Sequence, residues 1–238
     1  MYKNNELREF ELFIKELKRQ EYDFVFFKEL NKSHNQVIIR HDIDFDVKLA
    51  LDIAKIEHKN EIKSTFFFLI FNESYNPFSK NNFDMINEIK EMGHKISIHF
   101  DPVTYSDFEK GFKLEKKLFE TLFNVNVEII SLHRPNEYFQ NHNQLIDGCE
   151  HTYMDKYFKE IKYVSDSTGV FRFGHPFNTQ EFLEKKSLHI LIHPLWWTLE
   201  GSSNHSKLKT FFEYKKRLLK SHYSLNCKPF NDIKNEIN

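Results

Sequence analysis

Cysteine, proline and glycine are all scarce in this chain, and their scarcity limits the classes of protein to consider. The two cysteines, Cys149 and Cys227, lie far apart and outside any Cys-x-x-Cys motif, so neither a disulfide framework nor a zinc ribbon is indicated. Glycine and proline together account for 12 of 238 residues, which is less than half the usual ~12%. No low-complexity tract or linker divides the chain, and we expect one domain spanning residues 1–238.

An excess of charge of either sign is also lacking. The chain has 34 Lys and Arg against 35 Asp and Glu, which gives a net charge of −1. Because binding to nucleic acid by phosphate neutralisation needs a basic excess, we expect no nucleic-acid partner.

Long hydrophobic runs are missing as well. The longest strongly apolar run, residues 66–71, has six residues, whereas a membrane helix needs about 18. The first six residues are polar, and no apolar run follows them that would act as a signal peptide. We therefore expect no membrane span and a cytoplasmic protein.

What the chain does contain is a regular series of short apolar runs that are typical of buried strands. They occupy residues 37–40, 65–71, 95–99, 128–132, 161–164 and 188–193. Their starts are 28, 30, 33, 33 and 27 residues apart, and an interval of roughly 30 residues is the length of a strand plus a crossover helix. The pattern predicts an α/β fold, either a (β/α) barrel with fewer than eight regular strands or a doubly wound sheet.

Helices are predicted between these runs and at both ends of the chain. Apolar residues at helical spacing indicate an N-terminal helix over 4–21, and a Lys-rich helix is expected over about 206–221. Asp46 is placed to cap a helix over 47–59, and Asn82 to cap one over 83–92, with Gly93 at its C′ position. A further helix is marked by the spacing of Phe108, Phe112, Glu115 and Phe119.

Polar side chains follow most of the predicted strands. Because active sites of parallel βα folds lie at the carboxyl ends of the strands, these residues are the candidates for a functional site. They are Asp42 and Asp44, His99, His133 and Arg134, Asp166, and His193 with Trp196 and Trp197. Five of the six strand ends carry His, Asp or Arg, and their agreement with one face of the sheet favours an enzyme.

Taken singly, each candidate has a simpler structural interpretation. Asp42 and Asp44 are two residues apart, so in an extended segment both face one site as metal ligand and base, but either could belong to a solvated, helix-capping loop. His193 is a proton donor or a packed histidine. Trp196 and Trp197 either stack against a sugar ring or pack in the core. Arg134 orients a carboxylate or forms a surface ion pair.

A set of motifs in a fixed order carries a more specific indication. Arg40-His41-Asp42-Ile43-Asp44 is followed by Ser64-Thr65-Phe66-Phe67-Phe68, Gly93 to His99, His133-Arg134-Pro135, Ser165-Asp166-Ser167 and Leu191-Ile192-His193. This series resembles the motifs of the polysaccharide deacetylase family, also described as NodB-homology or carbohydrate esterase 4-like. The resemblance spans residues 37–197. It implies a distorted (β/α) barrel of six to seven parallel strands, a divalent metal with zinc as the expected ion, and hydrolysis of N-acetyl groups on amino sugars.

The resemblance also implies a role for individual residues. Asp42 would be the general base and Asp44 a metal ligand, in the Asp-x-Asp spacing of divergent branches of the family. His99 would be a second ligand, and His193 the general acid, tuned by Asp166. Arg134 would hold the base.

The sequence departs from the family at one ligand. Val103 stands where typical members have a second histidine, four residues after His99. His133 is the favoured replacement, with Asp101 as the other candidate, since three protein ligands plus water form the usual open catalytic site.

Three functions are compatible with these residues. The first is a metal-dependent hydrolase that removes an N-acetyl group from an amino sugar or a surface-polysaccharide precursor. The second cleaves another carbon–nitrogen amide, for example as a deformylase. The third is an inactive carbohydrate-binding relative, which Val103 favours. The expected partner is a carbohydrate or another small-molecule substrate, and the sequence leaves the oligomeric state open.

Overall fold

The computed structural model describes residues 5–31, 35–135 and 137–237. In these residues the six apolar runs form strands and two further two-residue strands are present, and the residues of the central strands are almost all buried. The strands are β1 (Asp23–Phe24), β2 (Gln36–Ile43), β3 (Thr65–Phe68), β4 (Lys95–Phe100), β5 (Ile129–Leu132), β6 (Glu150–His151), β7 (Lys162–Ser165) and β8 (Leu188–Ile192).

All these strands pair in parallel. The order along the sheet is β6-β5-β4-β3-β2-β8-β7, and β1 pairs with the first two residues of β2. Beyond that point Arg40 of β2 stands opposite Thr65 of β3 on one side and Leu191 of β8 on the other. The sheet curls into a half-barrel with β6 and β7 at its ends. The predicted distorted (β/α) barrel of about six to seven parallel strands is confirmed, since seven strands follow one another along the sheet and the two-residue β1 only adds to β2.

Helices cover the outer side of the curl. They are α1 (Asn5–Arg19), α2 (Val47–Lys59), α3 (Lys80–Glu91), α4 (Phe108–Phe123), α5 (Glu137–Asn141), α6 (Asp155–Phe158), α7 (Gln180–Leu183), α8 (Pro194–Thr198), α9 (Asn204–Asn226) and α10 (Phe230–Ile233). Asp46 caps α2 as predicted, since its side chain accepts a hydrogen bond of 2.9 Å from the Lys48 backbone amide. With this cap, only three residues lie between the end of β2 and the start of α2.

Strand residues alternate between two apolar layers. Ile39 packs in the larger core between the sheet and the outer helices, with residues such as Phe10 of α1. Its neighbour Ile38 packs in a smaller cluster on the concave side, together with Phe67 and Tyr157. Because side chains on a strand alternate between its faces, Arg40 and Asp42 also face the concave side, above this apolar cluster.

A buried hydrogen-bonded pair ties α2 to the strand that carries the first motif. Glu57 and His41 are both fully buried, with His41 Nε2 2.8 Å from Glu57 Oε1. The Ser64 hydroxyl donates a hydrogen bond of 2.6 Å to the other carboxylate oxygen. Burial would raise the pKa of Glu57, but the charge of His41 lowers it. The pair thus fixes the strand segment next to Asp42 from its outer face.

Several predicted boundaries differ from those observed. Helix α3 begins at Lys80 with Ser79 at its N-cap, so the predicted cap at Asn82 is wrong, although Gly93 does adopt a φ of +93° after the helix. Helix α9 is longer than the predicted 206–221. Residue 4 of the predicted N-terminal helix lies outside the described residues. The single-domain organisation of residues 1–238 stays a prediction.

Among the described helices none combines the length and the apolar character required to cross a membrane.

Candidate metal centre and active site

The candidate residues meet at the carboxyl ends of adjacent strands. Asp42 lies in β2 and Asp44 directly after it. His99 lies in β4, and His133 is the first residue after β5. His193 follows β8 in the same way. Because β5, β4, β3, β2 and β8 are consecutive in the sheet, their ends place these side chains around one point of the concave face.

Asp44, His99 and His133, hereafter the ligand triad, form a compact set of possible metal ligands. His99 Nε2 lies 3.2 Å from Asp44 Oδ1 and 3.2 Å from His133 Nδ1. His133 Nδ1 lies 3.6 Å from Asp44 Oδ1. Ligand atoms bound at 2.0–2.1 Å to a tetrahedral zinc ion are separated by about 3.3 Å. The three separations therefore fit a small divalent cation.

The protonation states around the triad support the same conclusion. The Ser131 hydroxyl donates to Asp42 Oδ2 at 3.0 Å and lies 2.9 Å from His99 Nδ1. A hydroxyl has only one proton, so in neutral His99 the proton sits on Nδ1 and is donated to Ser131. The lone pair of His99 Nε2 then points at Asp44 Oδ1, a buried oxygen without a hydrogen-bond partner. Facing acceptor atoms repel each other unless a cation lies between them.

The charges of the other two ligands agree with metal binding. Burial lowers the pKa of His133, and the neighbouring His99 lowers it further, which favours the neutral imidazole that a metal requires. Burial would raise the pKa of Asp44, but a hydrogen bond from protonated His99 and the charge of His193 lower it. A cation in place of the His99 proton would act in the same direction, so the carboxylate is ionised in either case. The residues present thus fit a divalent cation held by two nitrogens and one oxygen.

The predicted contact between Arg134 and Asp42 is wrong. Arg40, fully buried, forms the bidentate pair instead, with Nε 2.9 Å from Asp42 Oδ1 and Nη2 2.6 Å from Oδ2. Arg134 pairs with Asp101, and its side chain is 62% exposed. Residues two apart on a strand face the same way, so Arg40 lies directly beneath Asp42, whereas Arg134 follows the end of β5 and turns outward.

This pairing decides the charge of Asp42. Burial would raise the pKa of its carboxyl, but Arg40, together with His99, holds it well below its usual range. Asp42 is therefore a carboxylate at every physiological pH, and its oxygens face the same space as the ligand triad, with Asp42 Oδ2 3.7 Å from His99 Nε2.

His193 and Asp166, directly after β8 and β7, form a second charged pair. Asp166 Oδ1 lies 2.6 Å from His193 Nδ1 and also accepts the backbone amide of His193 at 3.0 Å. Burial would lower the pKa of His193, but the carboxylate of Asp166, with help from Asp44, raises it to about 9. His193 Nε2 lies 3.8 Å from Asp44 Oδ2, so its second proton faces the site.

Replacement of Asp166 by asparagine should lower the pKa of His193 from about 9 to its ordinary value of ~6.5 or below, because burial then acts without the opposing charge. Titration of the His193 ring resonances by NMR, in chelator-treated protein, measures this shift. Trp197→Phe, which keeps the carboxylate, is the matched control. A pKa that stays near 9 in Asp166→Asn would show that another group sets the charge.

The two tryptophans have contacts that favour the packing alternative. The indole of Trp197 donates from Nε1 to Asp166 Oδ2 at 2.7 Å, and its ring packs edge-on against Phe10 with centroids 5.7 Å apart. Trp196 packs on a separate apolar cluster that includes Leu195 and Phe211. Trp197 thus helps to hold the partner of His193, a function that its position in the sequence did not suggest.

A cleft of about 810 Å³ opens beside the triad, within the range of roughly 300–1,000 Å³ that ligand sites occupy. Residues 69–78 of the β3–α3 loop form one wall, and Asp101, His133 and Arg134 line the side toward the triad. Phe71 is 54% exposed on the loop wall. Val103, where the family would place a ligand, is 61% exposed in the turn after β4 and takes no part in the triad.

Comparisons with known proteins find solved structures of low sequence identity and no family model. No family model matches the chain, and no curated protein matches it either. A carbohydrate esterase 4 (CE4) family pseudoenzyme from Bacillus anthracis is 17% identical, with a TM-score of 0.42, and the match covers 79% of this chain and 62% of that one. The chain thus spans slightly less than two thirds of the length of this neighbour.

Two further solved structures match over more of their length. A Streptococcus pyogenes deacetylase, solved in complex with acetate, is 15% identical with a TM-score of 0.47 and 85% of each chain covered. A family 4 carbohydrate esterase from Bacillus anthracis is 10% identical with a TM-score of 0.44, covering 87% of this chain and 86% of that one.

Proposed function

We propose that this chain is a metal-dependent amide hydrolase that removes an N-acetyl group from an amino sugar or a surface-polysaccharide precursor. One observation supports this most strongly: the ligand triad lies within 4 Å of both a carboxylate held by Arg40, with Asp42 Oδ2 3.7 Å from His99, and an imidazolium held by Asp166, with His193 Nε2 3.8 Å from Asp44. Amide hydrolysis needs a base for the attacking water on one side and an acid for the leaving nitrogen on the other.

The triad would hold the divalent cation, with zinc as the expected ion. A bound cation of this kind polarises a carbonyl oxygen and lowers the pKa of a water molecule. Its three protein ligands leave a fourth position for that water.

Asp42 would act as the base. Its carboxylate is always ionised and accepts the proton that the attacking water loses as the new carbon–oxygen bond forms. Arg40 and Ser131 occupy only part of its hydrogen-bonding capacity, since a carboxylate offers about four lone-pair sites. Their role is to fix the direction in which the free lone pairs point.

His193 would act as the acid. Its Nδ1 proton is donated to Asp166, so the Nε2 proton faces the triad. The raised pKa keeps the imidazole charged at neutral pH, ready to protonate the nitrogen as the carbon–nitrogen bond breaks. Without that proton the amine is a poor leaving group.

The cleft beside the triad supports a saccharide substrate. Its loop wall carries the exposed ring of Phe71, and its other wall carries Arg134 and Asp101. Sugar recognition through stacking, which the sequence suggested for Trp196 and Trp197, is thus better supported at Phe71. The presence of His133 in the triad weakens the case, based on Val103, for an inactive relative.

Product analysis tests this function. Zinc-loaded protein should release acetate and a free amine from N-acetylglucosamine oligomers or from a nucleotide-linked N-acetylglucosamine, and chelator-treated protein should not. Parallel N-formyl substrates distinguish a deformylase, which would release formate instead. Protein that binds one zinc per chain but releases neither acid would contradict the proposal and favour the inactive relative.

A further inference from the structure

Helix α9 buries very little of its own surface. Of its 23 residues only Phe211 is fully buried. Phe212 is 71% exposed, Leu219 56% and Tyr223 46%. These three side chains, hereafter the apolar stripe, are spaced by seven and four residues and therefore lie on one face of the helix. An exposed apolar row of this kind is a feature of interaction surfaces.

The charge of α9 differs sharply from that of the rest of the chain. Six of its residues are Lys or Arg and one is Glu, a net charge of +5, whereas the whole chain carries −1. The remaining residues therefore carry −6. Lys209, Lys216 and Lys220, hereafter the basic stripe, have the same seven-and-four spacing as the apolar stripe and lie directly beside it. An apolar face next to a row of lysines characterises helices that lie in a membrane interface.

The helix is anchored at the rim of the candidate active site. Its Lys215 Nζ lies 3.0 Å from Asp46 Oδ2, at the cap of α2. The Phe211 ring centroid lies 5.8 Å from that of Phe45, the residue that follows Asp44. Because α9 contacts the short helix α8, which begins directly after His193, the first half of α9 lies at the same end of the barrel as the ligand triad.

We propose that the apolar and basic stripes of α9 bind an anionic lipid surface and thereby hold the catalytic end of the barrel next to a membrane. A basic segment gains electrostatic attraction from anionic headgroups, and the stripe of Phe212, Leu219 and Tyr223 gains from burial at the acyl boundary. A second copy of this chain is a poorer occupant, since pairing α9 with itself would bring +5 against +5. Nucleic acid would use the lysines but leave the apolar stripe exposed.

Co-sedimentation of the full chain with vesicles tests this surface. The protein should bind vesicles of phosphatidylcholine and phosphatidylglycerol in equal parts and show little binding to phosphatidylcholine alone. Phe212→Ser combined with Leu219→Ser should weaken binding at least about tenfold, and Lys209, Lys216 and Lys220 changed together to Gln should do the same and reduce its salt dependence.

A matched control uses exposed apolar residues elsewhere. Phe173 and Leu183 are 84% and 67% exposed and lie outside α9, so their replacement by serine should leave vesicle binding unchanged. Circular dichroism checks that each variant is folded. Equal binding to both kinds of vesicle, no binding to either, binding only to single-stranded nucleic acid, or a dimer that the Phe212 and Leu219 changes dissolve would each overturn the proposal.

Discussion

Asp44→Asn should remove tightly bound zinc from the protein. The substitution takes away the only anionic ligand of the triad, which leaves two imidazoles and an amide oxygen. Loss of groups that merely orient ligands weakens metal binding by roughly 10–100-fold, so loss of a ligand should cost more than about 100-fold. Competition against a chromophoric chelator measures the affinity, and release of acetate from a zinc-supplemented substrate assay should fall in parallel.

A matched control for this variant lies on the surface. Asp84 in α3 has a 54% exposed side chain paired with Lys80, and Asp84→Asn makes the same chemical change far from the triad. It should retain full zinc affinity and activity. If Asp44→Asn keeps one tightly bound zinc per chain, the assignment of Asp44 as a ligand is wrong.

Arg40→Met should destabilise the protein more than any surface change. It leaves the buried carboxylate of Asp42 without its partner, and breaking one side of a buried ion pair costs about 3–5 kcal/mol. Urea unfolding at neutral pH measures the loss. Changing Asp42 to Asn in the same protein should recover part of it, because no unpaired charge then remains.

The pH dependence of this loss has a defined sign. In the wild type the pKa of Asp42 is lowered, so its pair contributes stability above the unfolded value of about 3.9, and this contribution is lost as the pH falls through the folded value. In Arg40→Met burial raises the pKa of Asp42, so acid neutralises the unpaired charge. The difference in stability between wild type and variant should therefore shrink between about pH 7 and about pH 4.

Arg134→Met provides the control for this experiment. The Arg134 side chain is 62% exposed and pairs with Asp101, and exposed ion pairs contribute about 0–1 kcal/mol. Its unfolding free energy should stay within that range of the wild type. A loss at Arg134 equal to that at Arg40 would mean that Arg134 also supports the base.

The sheet was predictable because its strands are nearly continuous apolar runs. All six predicted strands lie within three residues of the observed bounds at both ends, and the residues of β2 and β8 are buried throughout. The two-residue strands β1 and β6 were missed, since two residues give no periodic signal. The N-cap of α3 was misplaced because Ser79 and Asn82 are both good capping residues and only packing decides between them.

The sequence predicted where in the fold the site lies, but it predicted fewer of the contacts between the site residues. The ends of the strands brought Asp44, His99 and His133 together because parallel strands share one carboxyl edge. The partner of Asp42 could not be read from the family resemblance, which implied Arg134. One signal was present: Arg40 is a charged residue within an apolar run, two positions before Asp42, and such a residue in a buried strand requires a partner on the same face.

The location of Arg40 has a consequence for how this site can change. Asp42, the proposed base, and Arg40, which aligns it, belong to a single strand, so both are positioned when β2 takes its place in the sheet. The segment after β5, which carries Arg134 at the wall of the cleft, has no part in that alignment. Sequence variation there can reshape the cleft for different substrates while the charge and direction of Asp42 remain as they are.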